Sequence, residues 1–129
     1  ELEINTILKI KSCETLFNKN SKYLHTTSLV KYPVFDKGKN YSGTNILKKK
    51  MLLDFIEKNF LKELKILKKT IIIPLGNTVS STIEYLNNKY DLKLACFLKG
   101  FPHPSGANAR KNIQFKENKT SLIKLLKNR

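Results

Sequence analysis

The sequence predicts a parallel α/β domain in which helices pack against a small sheet. Short apolar runs rich in β-branched residues alternate along the chain with longer segments whose apolar residues recur at helical spacing. Gly76 follows one of these runs directly, and a loop with two prolines follows the last one. Because strands that alternate with helices form layered parallel sheets, this order predicts an α/β fold.

Composition separates the predicted strands from the predicted helices. The strands are expected at residues 23–34, 70–75 and 92–98, and the helices at residues 45–67, 78–88 and 110–128. Residues 23–34 contain four β-branched side chains, which favour strands. The first helix has an apolar stripe formed by Leu47, Met51, Leu52, Phe55, Ile56, Phe60, Leu64 and Leu67. Residues 36–43 have loop composition, and residues 2–10 fit a helix or a strand equally well.

The length of 129 residues fits one domain, here residues 22–129, preceded by an N-terminal segment, residues 1–21. No apolar run approaches the roughly 20 residues of a membrane helix, so we expect no membrane partner. No signal peptide is visible, and Cys13 and Cys96 form no CxxC motif. These observations predict reduced thiols, a cytoplasmic protein and no obligate protein partner.

The chain is strongly basic, with 25 Lys and Arg against 10 Asp and Glu and a net charge of +15. This charge favours polyanions, because each phosphate contact releases counterions. However, Arg110 and Arg129 are the only arginines, and Asn is also plentiful, as expected of an AT-rich coding genome. Charge alone therefore permits a DNA or RNA partner without indicating one.

The most informative segment is residues 100–110, Gly-Phe-Pro-His-Pro-Ser-Gly-Ala-Asn-Ala-Arg. Pro102 and Pro104 stiffen the backbone on both sides of His103. An imidazole at the end of a strand can donate a hydrogen bond to an oxygen that gains negative charge. A nucleobase gains such charge when its glycosidic bond breaks. Ser105 and the following amides suit a phosphate. The alternative is a histidine that caps a turn and binds no ligand.

Three motifs in order resemble those of the uracil-DNA glycosylase superfamily. They are Thr-Ser-Leu-Val-Lys-Tyr-Pro at 27–33, Ile-Ile-Ile-Pro-Leu-Gly at 71–76 and His-Pro-Ser-Gly at 103–106, and the resemblance covers about residues 22–126. It implies a three-layer sandwich with a mainly parallel sheet. It also implies a DNA glycosylase that hydrolyses the N-glycosidic bond of a flipped damaged or modified base, with no metal and no organic cofactor.

The resemblance also implies roles for single residues. His103 would stabilise the departing base anion, and Ser105 would contact a phosphate. Taken with the charges, the resemblance implies DNA contacts at Lys31, Ser105, Gly106, Asn108, Arg110 and Lys111, and a base pocket at Ser28, Gly76 and Pro104.

The chain departs from the pattern of the superfamily in three places. Ser28 stands where a base-reading Asn is usual, which favours a bulkier or modified base over uracil. Residues 106–108 are small where some members insert a bulky wedge. The first strand, with its Gly/Pro-rich loop and water-positioning residue, has no counterpart. We therefore expect either the C-terminal portion of a longer protein or a degenerate form in which residues 2–10 replace that strand.

Two other functions stay open on the sequence. One is a nucleic-acid-binding module that has lost the water-activating motif, and the other is binding of a free nucleotide or another phosphorylated small molecule. Asp36 and Asp54 are the acids nearest the predicted strand ends; Asp36 would order a water molecule or simply form a turn. Tyr41 would stack on a base or pack under its own loop. We expect no ligand at His25.

Overall fold

The computed structural model describes residues 2–128, which form five α-helices, three short 3-10 turns and two small sheets. In chain order the main elements are α1 (Ile4–Ile7), β1 (Phe35–Asp36), β2 (Lys39–Asn40), α2 (Lys50–Lys58), α3 (Phe60–Leu67), β3 (Ile71–Ile72), α4 (Asn77–Tyr90), β4 (Cys96–Phe97) and α5 (Lys111–Lys127). Short 3-10 turns lie at Cys13–Phe17, Ser21–Tyr23 and Ile46–Lys48. The fold is thus mixed α/β, as the sequence predicts.

The sheet that organises the domain is the parallel pair of β3 and β4. Ile71 lies opposite Cys96, and Ile72 lies opposite Phe97. Side chains alternate between the two faces of a strand, and both faces are covered here. Ile72 and Phe97 pack on a cluster from α2, α3 and α4, whereas Ile71 and Cys96 belong to a cluster with α5 and the N-terminal residues.

Each cluster has a fully buried centre. Ile56, Leu64 and Leu86 bring α2, α3 and α4 together in the first cluster, and Leu98 and Leu122 join the end of β4 to α5 in the second. Because apolar burial is the dominant favourable term in folding, these two clusters hold β3 and β4 between the helices. The loops after the two strands therefore start from fixed positions.

The predicted strand at residues 23–34 is wrong. This segment is irregular, apart from the 3-10 turn that ends at Tyr23, and it pairs with no strand of the described chain. Its side chains instead attach it to α3, because Glu63 accepts hydrogen bonds from Thr27 and His25, and Leu29 is buried in the first cluster. β-branched composition favours a strand only where a neighbouring edge is available to pair with it.

Other boundaries differ from the sequence prediction for local reasons. The long helix expected at 45–67 is divided at Asn59, whose side-chain amide donates to the Phe55 carbonyl oxygen at 2.9 Å. The loop expected at 36–43 contains the β1–β2 hairpin, with positive φ at Lys37 and Gly38, as in a type I′ turn. Residues 2–10 contain the short helix α1 (Ile4–Ile7) and no strand, and Leu2 is buried in the second cluster.

The helices expected at 78–88 and 110–128 are confirmed as α4 and α5. None of the helices within residues 2–128 is both long and apolar enough to cross a membrane. The sheet has two parallel strands where the sequence predicted three, so the observed architecture is a mixed α/β domain with a small parallel sheet.

An ion pair between α2 and α4 makes the stability of this packing depend on pH. Lys89 Nζ donates to Glu57 Oε1 at 2.7 Å, and this hydrogen bond is the main cause that lowers the pKa of Glu57 below its usual 4.5. The pair therefore contributes fully above about pH 4.5, and its contribution is lost as the pH falls through the lower pKa of the folded state.

We expect Glu57→Gln to lower the urea midpoint at pH 7. The effect should be smaller at low pH, where the Glu57 carboxyl of the wild type is protonated in both the folded and the unfolded state. Asp91→Asn is the matched control, because Asp91 forms an exposed pair with Lys93 and Asn tolerates its positive φ of 45°. A difference between wild type and Glu57→Gln that stays constant down to low pH would contradict this assignment.

Candidate functional site

The loops that follow β3 and β4 meet at the carboxyl ends of the two strands. The Leu98 amide donates to the Ile72 carbonyl oxygen at 2.9 Å, and the Gly76 amide donates to the Phe101 carbonyl oxygen at 3.2 Å. Pro74 and Gly76 are buried between these contacts. In open α/β sheets ligands bind outside the carboxyl ends of the strands, so this junction is the candidate site.

Gly76 and His103 are in direct contact at this junction. Gly76 has φ 96° and ψ 168°, a region that is essentially restricted to glycine. A Cβ atom at this position would lie 3.0 Å from His103 Cβ and 3.1 Å from His103 Cδ2. The imidazole of His103 therefore packs over the glycine, and the sequence prediction that these two residues share a site is consistent with the geometry.

The hydrogen bonding of His103 defines which ring nitrogen is available to a ligand. The Ser105 amide donates to His103 Nδ1 at 3.2 Å, so Nδ1 is an acceptor and the neutral ring carries its proton on Nε2. The side chain is exposed, and Nε2 has no hydrogen-bond partner within residues 2–128. His103 thus presents an unused N–H donor on a rigid loop.

The loop that carries His103 is braced from α5. Asn108 Nδ2 donates to the His103 carbonyl oxygen and to Gln114 Oε1, both at 3.0 Å. Lys111 Nζ donates to the Pro104 carbonyl oxygen at 3.1 Å. Asn108 and Lys111 therefore hold the loop in place, and the DNA contacts predicted for them stay predictions.

Groups suited to an anion surround His103. α4 begins at Asn77, directly after Gly76, and α5 begins at Lys111, directly after the loop. The free N–H groups and the dipole at a helix N-terminus favour negative charge. Ser105 is half-buried, whereas Gly106 and Arg110 are exposed, and the space around Gly106 is open.

The remaining predicted residues lie on the segment that packs against α3. Lys31 Nζ is 3.2 Å from Glu63 Oε2, and the exposed Ser28 hydroxyl donates to the Val30 carbonyl oxygen at 2.9 Å. Burial alone would raise the pKa of Glu63, but its hydrogen bonds from His25, Thr27 and Lys31 together lower it. The structure thus brings Gly76, His103, Pro104 and Ser105 together and ties Lys31 to α3.

Asp36 and Tyr41, for which the sequence left a structural alternative open, both contact other residues of the chain. Asp36 Oδ2 is 3.3 Å from Lys49 Nζ, and the Tyr41 hydroxyl donates to the Thr44 carbonyl oxygen at 2.5 Å. Tyr41 also packs on the first cluster. The structure therefore favours the packing interpretation for Tyr41, and Asp36 lies in the hairpin turn with a lysine partner.

Sequence reasoning missed an apolar rim beside the site. Ile73 and Leu75 are 38% and 44% exposed, although they continue the β3 run. β3 pairs with β4 along one edge, and no strand within residues 2–128 covers its other edge. One turn into α4, the Ser80 hydroxyl is buried and has no hydrogen-bond partner among the described residues. The signal available in the sequence was the length of the apolar run, because Ile73 and Leu75 continue it beyond the two residues that pair with β4.

The chain is similar to the uncharacterized protein YoxB of Bacillus subtilis (strain 168). The two are 39% identical over 116 residues, which cover 88% of this chain and 45% of the relative. The chain therefore spans less than half the length of the curated relative that it matches. No protein-family model matches the chain, and no solved structure matches it.

Proposed function

We propose that this chain is the base-releasing and DNA-contacting part of a DNA glycosylase-like protein. The protein would hydrolyse the N-glycosidic bond of a flipped damaged or modified base. The observation that carries the proposal is the His103 imidazole, which packs over Gly76 at the carboxyl ends of β3 and β4 and has an unpartnered Nε2–H donor. Such a donor suits an oxygen on which negative charge develops.

The chemistry assigned to His103 is electrostatic. As the C1′–N bond breaks, its electron pair moves onto the base, and the Nε2–H group donates a hydrogen bond to a base oxygen. Water then adds its hydroxyl to C1′, and the remaining proton neutralises the base. The residue that orients this water would come from the longer protein, because the sequence has no counterpart of the first motif.

The DNA backbone would be held on both sides of the flipped nucleotide. Ser105 and the N-terminus of α5 suit one phosphate, and Arg110 is exposed beside them without an ion pair within residues 2–128. The net charge of +15 favours the same partner. Ser28 and Lys31 would approach the DNA from the segment attached to α3.

The proposal includes a three-layer sandwich for the complete protein. β3 and β4 bury side chains on both faces, and the uncovered edge of β3 would pair with a strand from the longer protein. Such a strand would cover Ile73 and Leu75 and supply hydrogen bonds to the outer backbone groups of β3.

The test uses the full-length protein with duplexes that contain uracil, an oxidised base or a glucosylated base. We expect abasic sites, detected as strand breaks after alkali treatment, from at least one modified base. Abasic product from none of them, together with tight salt-sensitive binding, would instead favour a non-catalytic nucleic-acid-binding module. Weak binding as well would overturn both functions.

A further inference from the structure

A second concave surface lies between the irregular segment and the α2–α3 junction. This surface, the Tyr32 groove, has a volume of about 200 Å³ and is lined by Lys31, Tyr32, Phe55, Asn59, Phe60 and Lys62. It shares no residue with the loops around His103, and the role assigned to His103 does not use it. Aromatic, amide and lysine side chains in one groove are the groups that bind a nucleotide.

Tyr32 gives the groove an exposed aromatic ring in a fixed position. Its side chain is 69% exposed, and its ring meets the Phe55 ring edge to face, with centroids 5.9 Å apart and an interplanar angle of 78°. The adjacent Lys31 is anchored to Glu63. Because the ring is already ordered, a base that stacks on it loses little side-chain entropy.

Asn59 adds a hydrogen-bond acceptor to the groove. Its Nδ2 atom donates to the Phe55 carbonyl oxygen at 2.9 Å, which fixes the orientation of the amide. The Oδ1 atom has no partner within residues 2–128, and the side chain is exposed. Nucleobases carry N–H groups on their edges, so this oxygen suits a stacked base.

Lys62 supplies positive charge that is not neutralised locally. It lies on the first turn of α3, is exposed, and forms no ion pair within residues 2–128. Lys31 also lines the groove, but its Nζ atom is paired with Glu63 Oε2 at 3.2 Å. Lys62 is therefore the group available to a phosphate beside the stacked base.

We infer that the Tyr32 groove binds one nucleotide of a single-stranded nucleic acid. The base stacks on Tyr32, its edge donates to Asn59 Oδ1, and the adjacent phosphate lies near Lys62. The inference deepens the proposed function, since it rests on a nucleic-acid partner, but it does not depend on cleavage of a glycosidic bond. Charge complementarity favours this occupant over an apolar protein segment.

The absence of tryptophan from the sequence allows a site-specific test with this chain. We expect the fluorescence of Tyr32→Trp to be quenched saturably by a short single-stranded oligothymidylate, because a stacked base quenches indole emission. Tyr23→Trp is the matched control: it places the indole at another exposed tyrosine outside the groove, and its emission should change little. Inorganic pyrophosphate, which has charge but no base, should quench neither.

Affinity measurements on the wild-type and variant chains test the assigned contacts. We expect Tyr32→Ala to weaken oligothymidylate binding by about 5- to 100-fold and Tyr32→Phe to retain most of it, because stacking requires the ring and not the hydroxyl. We expect Lys62→Gln to reduce the salt dependence of binding. Circular dichroism verifies that each variant is folded.

Each outcome supports or overturns the inference. Equal oligothymidylate affinity for wild type, Tyr32→Ala and Lys62→Gln, with no quenching of Tyr32→Trp, would show that the strand binds elsewhere and would overturn the inference. Abasic product from the full-length protein without quenching would overturn the inference and leave the proposed function intact. Saturable quenching without abasic product would support the groove and overturn the glycosylase.

Discussion

His103→Ala is expected to lower the rate of base release by about 100- to 1,000-fold, the usual loss when one donor to a developing anion is removed. The affinity for DNA should change little, because Asn108 holds the loop through the His103 carbonyl oxygen, which the variant keeps. The variant loses only the hydrogen bond from the Ser105 amide to the ring. The measurement is single-turnover excision by the full-length protein on its best modified duplex, together with equilibrium binding to the same DNA.

His25→Ala is the matched control for this variant. His25 is the other histidine of the chain, and its Nε2 lies 2.6 Å from Glu63 Oε1 on the surface of α3. We expect His25→Ala to leave the excision rate nearly unchanged. If His103→Ala instead loses DNA affinity and retains its rate of excision once bound, His103 is a DNA-binding residue and the electrostatic role is wrong.

Gly76→Ala is expected to destabilise the domain by about 1–3 kcal/mol, the cost of holding a non-glycine residue in a backbone region restricted to glycine. The new methyl group would also lie 3.0 Å from His103 Cβ, so the imidazole has to move. We therefore expect a lower urea midpoint and, in the full-length protein, a lower excision rate under conditions where the variant is fully folded.

Gly106→Ala provides the comparison for Gly76→Ala. A Cβ atom at Gly106 would have no other atom within 4 Å, and the backbone of Gly106 does not have a positive φ. Its stability should stay within about 0.5 kcal/mol of wild type, as for ordinary surface substitutions. Equal stability of the Gly76→Ala and Gly106→Ala variants would contradict the close packing of Gly76 on His103.

Much of the candidate site could be predicted from local sequence. The prolines on both sides of His103 constrain the backbone wherever the loop lies, and the glycine after an isoleucine run indicates a sharp turn from strand to helix. α4 begins at Asn77, directly after that glycine and one residue before the predicted start at residue 78. These features depend on residues near one another in the chain, so no tertiary information was needed.

The bracing of the site was not predictable in the same way. Asn108 was expected to contact DNA, yet its amide holds the loop through the His103 carbonyl oxygen and Gln114. Asparagine serves either role, and only the fold of the loop back toward the first turns of α5 places Gln114 within reach. A polar residue in a loop therefore indicates a hydrogen bond but not its partner.

The sequence by itself determined the mixed α/β class, the helices α4 and α5, and the stiff loop at His103, because apolar periodicity and proline act locally. The tertiary structure alone decided the course of residues 23–34. Their β-branched side chains suit a strand, but a strand needs an adjacent edge, and Glu63 together with the buried Leu29 holds this segment on the helices instead. Long-range contacts of this kind are absent from any local pattern, since they depend on which surfaces the folded chain brings together.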